Sequence, residues 1–117
     1  MARGERSEHS PNRQVGPHRW RGLGVWQVSD PRLGSLTSTA NYDMEGDEGI
    51  EMGAWRGEHG HTAEVRRHYL ESQGTGRRPE LEEENFTAGP FKSEMRAQIA
   101  AGGLARRVNR GRAEEYR

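Results

Sequence analysis

The sequence predicts a mainly irregular, extended chain carrying short α-helices, with at most a small β element and no large independent core. Three observations lead there. Leu, Ile, Val and Phe together supply only 15 of the 117 residues, fewer than in ordinary globular chains. Sixteen glycines add positions with no side chain to bury and extra backbone entropy to lose. The 18 basic and 18 acidic residues cancel to zero net charge, so opposite charges draw the chain together locally without specifying a fold. Ordering a residue costs roughly 1–2 kcal/mol, and this apolar content offsets that cost for about half the chain.

Four segments follow. Residues 1–21 form a polar basic arm with Pro11 and Pro17, residues 22–75 a small central region, residues 76–91 a linker with an acidic run, and residues 92–117 a basic helical tail. Within the central region, residues 23–28 (Leu-Gly-Val-Trp-Gln-Val) alternate as a strand. Asp30-Pro31 marks a turn, residues 35–40 read as a weak polar strand, and the glycine-rich acidic stretch 43–60 reads as a loop carrying Trp55. Residues 62–73 read as the clearest helix. Thr62 is placed as N-cap, Glu64 near the positive end of the dipole, Gly74 as the stop, and Val65, Tyr69 and Leu70 as a short apolar stripe. Glu80 to Glu84 read as a helical turn. Two further helices are expected over 93–101 and 104–110, split by Gly102-Gly103.

The cationic charge is almost wholly arginine: 17 Arg against the single Lys92. Arginine is a planar, permanently charged fork that pairs bidentately with carboxylates and phosphates, although a GC-rich genome would produce the same ratio. The chain contains no Cys, which excludes disulfides, thiolate metal sites and cysteine nucleophiles. No apolar run approaches the ~20 residues that span a bilayer. The N-terminus lacks the apolar core of a secretory signal and carries Glu5 and Glu8, so an intracellular location without membrane insertion is expected. No phosphate-binding loop, nucleophile elbow or dinucleotide fingerprint occurs, and a non-enzymatic protein without cofactors is expected.

Three groups of residues are candidate sites. His59, His61 and His68, with Glu64 as a carboxylate, have the residue types of a zinc site. Arg66 and Arg67 beside His68 would repel a cation, so solvated or interface histidines are the expected reading and no metal is assigned. Arg106, Arg107, Arg110 and Arg112 form the one concentrated basic cluster, suited either to phosphates or to a helix C-terminal dipole. Trp20, Trp26 and Trp55 serve either as a small core or as partner anchors, because Trp and Arg dominate interface hot spots.

Arg32-Leu33-Gly34, followed by Glu58-His59-Gly60-His61-Thr62-Ala63-Glu64-Val65, resembles slightly the small RNA-polymerase-binding transcription factor family of actinobacteria. The match spans about a third of the chain, without the cysteines many members use for zinc. The resemblance implies association with a polymerase. The composition points to an accessory or structural subunit that orders on a larger assembly of protein subunits through Arg and Trp contacts. The alternative is a nucleic-acid- or polymerase-associated protein that binds RNA or DNA through its C-terminal segment.

Overall fold

A computed structural model describes residues 14–15, 18–20 and 26–115 of the chain, with side chains excluded at 14, 15, 18 and 112–115. The protein is mostly β, not irregular and helical. Gln14–Val15 (β1) and His18–Arg19 (β2) pair as a two-stranded ribbon. Ser29–Asp30 (β3), Gly34–Glu45 (β4), Glu48–Gly57 (β5), Gly60–Glu71 (β6) and Glu80–Phe91 (β7) form an antiparallel meander in the order β3-β4-β5-β6-β7. The sheet curls into a half-barrel, and a single helix, Glu94–Glu115 (α1), packs across β5, β6 and β7.

The predicted helix over 62–73 is strand β6, and the reason lies in the spacing. Val65 and Tyr69 are four apart, which is one face of a helix but also one face of a strand. The strand reading puts Ala63, Val65, Arg67 and Tyr69 on the helix side and Glu64, Arg66, His68 and Leu70 on the other. Period-two alternation was hidden because both faces carry charge: Glu64 is 2% exposed and Arg67 5%. The predicted loop over 43–60 is the β4–β5 hairpin followed by the rest of β5. Its glycines have specific uses. Gly46 turns the hairpin with φ 62°, and Gly53 lies under the Trp26 ring, where a Cβ would sit 2.4 Å from Cζ3.

The predicted helical turn at 80–84 is the start of edge strand β7, and its glutamates guard an open edge against pairing with other strands. Residues 35–40 lie inside β4, a much longer strand than expected. Of the predicted strand 23–28, residues 23–25 lie outside the described residues, and residues 26–28 are not in a strand. The two predicted C-terminal helices are one, running unbroken through Gly102-Gly103. Ser93 caps it, its Oγ accepting from the Arg96 amide at 3.2 Å. Two mid-helix glycines cost about 1 kcal/mol each relative to Ala. Packing offsets this: Ala97, Ala101 and Ala105, four apart and fully buried, bring the helix close against the sheet, flanked by Leu104 and Val108.

The core is double. On the helix side, Ile50, Met52, Ala54, Ala63 and Val65 meet the alanine seam, with Trp20 and Ala40. On the opposite side, Trp26, Leu36 and Trp55 form a second cluster with Leu33 against it. Strand β4 serves both. Its register slips between Leu36 and Ser38, a bulge that puts Leu36 beside Trp55 on one face and Ser38 beside Ala54 on the other. Ser38 is then positioned to accept a 2.8 Å hydrogen bond from Gln98 of α1.

Candidate functional site

The three histidines do not converge. His59 is exposed in the β5–β6 turn, its Nε2 3.9 Å from Glu58. His61 is half-buried on β6. His68 lies seven residues further along the same strand, about 23 Å away at the strand rise, and on the other face. Its Nε2 lies 2.9 Å from Glu51 and its Nδ1 3.7 Å from Glu83. Among the described residues no three His, Asp or Glu side chains are grouped to hold a metal ion.

The most developed polar cluster was not singled out in the sequence, and it centres on Glu64. This buried carboxylate accepts from Trp55 Nε1 at 3.0 Å, Asn85 Nδ2 at 2.7 Å and Arg66 Nε at 3.1 Å. The Arg66 guanidinium is stacked 3.7 Å over the Trp26 ring, completing a layer of cation on aromatic on sheet. Both oxygens of Glu64 are occupied by donors from its own chain. The arrangement holds the second core together and leaves no lone pair directed at a ligand. A sequence signal did exist: Trp55 and Glu64 are nine apart across a tight hairpin, the spacing of near neighbours on one sheet face.

All three tryptophans are buried, Trp20 in the helix-side core and Trp26 and Trp55 in the other. The arginine cluster lies along α1. Arg106, Arg107 and Arg110 are exposed, and Arg112 occupies the same helix two residues on. Helical periodicity puts Arg106 and Arg110 on the side facing away from the alanine seam, in line with Met95 and Ile99. These two apolar side chains are 42% and 59% exposed. The outer face of α1 is therefore apolar in its first half and basic in its second.

Beside the basic half, a groove of about 360 Å³ runs between the helix and the sheet, lined by Arg67, Glu84, Phe86, Leu104, Arg107 and Val108. At its base Arg67 donates to Glu84 at 2.7 Å and lies 4.6 Å over Tyr69. Partial desolvation raises the Tyr69 phenol above its ordinary pKa, and the charges of Glu84, Glu71 and Glu82 push the same way. At the other end of the sheet a cavity of about 390 Å³ brings together Arg32, Leu33 and Gly34 with Glu58, His59 and Gly60. Asp30 organises that turn by accepting from the Arg32 amide at 2.7 Å, and the Arg32 hydrogen bonds hold its carboxyl below the usual range. No family model, no curated protein and no solved structure matches the chain.

Proposed function

We propose that the protein is a non-enzymatic accessory subunit that joins a larger assembly by presenting the outer face of α1 to an acidic protein surface. The observation that carries this is the stripe of Met95, Ile99, Arg106 and Arg110 on a side of the helix that, among the described residues, is exposed. Met and Arg are enriched where proteins meet, and exposed Met95 and Ile99 suit a protein partner better than a phosphate backbone. The buried polar groups support a structural reading, because Glu64 and its donors are paired with one another. The tryptophans, being buried, are left out of the contact.

The test compares what co-purifies with the tagged protein and with an Ile99→Asp/Arg106→Glu/Arg110→Glu variant in the source organism. A protein partner lost from the variant, with thermal stability unchanged, supports the reading. An identical set of partners removes it.

A second reading, nucleic-acid binding, is favoured by the closeness of Arg106, Arg107 and Arg110 on exposed turns of one helix. It requires the salt dependence of binding to fall by about 3–4 units of log–log slope when these three and Arg112 are neutralised together. An unchanged slope excludes it.

A further inference from the structure

The groove beside the basic half of α1 has no part in the interaction reading. One wall is the side of the helix on which Leu104, Val108 and Gly111 follow one another by turns, and the other is the helix-facing side of β6 and β7, with Arg67, Glu84 and Phe86. Phe86, Leu104 and Val108 sit at the margin of the helix-side core and are only half-buried. They give the groove an apolar wall that the fold leaves in water. Its charges are unequal. Arg67 donates to Glu84, its partner across the strand pair, at 2.7 Å, and the two cancel. Arg107, at the rim, is exposed and has no hydrogen-bond or ion-pair partner among the described residues. Gly111 completes the rim. Glycine inside a helix costs stability, yet a Cβ at 111 would meet nothing within 4 Å. No contact within the chain requires a glycine there, and its effect is to leave that end of the groove open.

Small-ligand sites are mostly apolar, with a few polar groups that fix orientation. The groove's volume of about 360 Å³ falls at the small end of their range, roughly 300–1,000 Å³. From Leu104 to Gly111 it follows the helix for about 10 Å, which suits an extended alkyl chain better than a compact ring. We propose that this groove binds a small unbranched aliphatic carboxylate, its chain lying on Phe86, Leu104 and Val108 and its carboxylate on the Arg107 guanidinium. One guanidinium forks one carboxylate. Glu82, on the same side of β7 as Glu84, opposes a second negative charge, so a monoanion fits better than a phosphate. The site shares no residue with the stripe of Met95, Ile99, Arg106 and Arg110, and its loss would leave the interaction reading untouched.

Nuclear magnetic resonance titration of the full chain with octanoate tests the site, read at the Leu104 and Val108 methyls and the Phe86 ring. The expected result is saturable shifts at these three residues. Arg107→Gln removes the charge and should weaken octanoate by about five- to tenfold, while octanol binds as it does to the wild type. Gly111→Leu adds a side chain at the open end and should weaken both ligands. Leucine favours the helix over glycine, so a melting temperature at or above that of the wild type shows the variant's fold to be intact. Signals of Leu104, Val108 and Phe86 that stay still at about 10 mM octanoate, well above a millimolar Kd, overturn the proposal. Equal octanoate affinity in the Arg107→Gln variant also overturns it, as do shifts that persist in full after Gly111→Leu. Shifts spread over exposed Met95, Ile99, Leu70 and Leu81 instead would show an unselective detergent-like contact and overturn it too.

Discussion

The two faces of the sheet are closed by different chemistry. On the helix side, closure is by shape: small side chains at Ala97, Ala101 and Ala105 let a whole helix settle onto Ile50, Met52 and Val65. On the other side, closure combines aromatic area with a paired carboxylate: Trp26, Trp55 and Leu36 pack together, and the buried Glu64 accepts from Trp55, Asn85 and Arg66. The first face tolerates no added volume, and the second tolerates no lost partner. A chain poor in Leu, Ile and Val can therefore fold, because alanine contributes through close approach and tryptophan through area. Each buried Trp removes about 150–250 Å² from water.

Substitutions on each face separate the two modes. Trp55→Ala should have the largest effect, about 3–5 kcal/mol of lost stability from cavity formation, read by denaturant unfolding. It opens the second core and also removes a donor from Glu64. Glu64→Ala should cost about 3 kcal/mol by orphaning the Trp55 and Asn85 donors, while Glu64→Gln, which keeps one acceptor oxygen, should cost less. Equal losses for the two would place the stabilisation in packing and blur the contrast. On the helix face, Ala101→Leu should destabilise by about 1–3 kcal/mol through overpacking, and a neutral result would show the seam to be loose.

Smaller effects come from the surface. Gly102→Ala should stabilise the isolated protein by about 1 kcal/mol, because a Cβ there meets nothing within 4 Å. The smallest expected effect is at Tyr69. Its raised pKa means the unfolded chain loses that proton first as pH rises past 10. The folded state thus loses stability over the interval between the two pKa values. Absorbance titration against a Tyr69→Phe variant should show a tyrosinate transition above the ordinary value.

Legibility in the sequence followed the same division. The residues of α1 were readable because Met95 and Ile99, and then Leu104 and Val108, keep a four-residue spacing after a start near Ser93; the alanine seam emerged only with the structure. The continuity of α1 was not readable, because the seam's packing outweighs Gly102-Gly103. The sheet was hidden where strands bury charge. Glu64 and Arg67 put polar letters at buried positions of β6, and the acidic run of β7 looks like a solvated helix turn because an edge strand is half in water. The arginines of the helix stood out as a cluster.

The slip in β4 at Thr37 has a consequence for how the molecule comes apart. A regular strand would present one set of side chains to each face along its whole length. This one delivers Leu36 to the tryptophan cluster and, two residues later, Ser38 and Ala40 to the helix side. Neither half can melt while the other stays ordered without tearing the same short stretch of backbone. Amide exchange in β4, β5 and α1 should accordingly proceed through one shared opening rather than two.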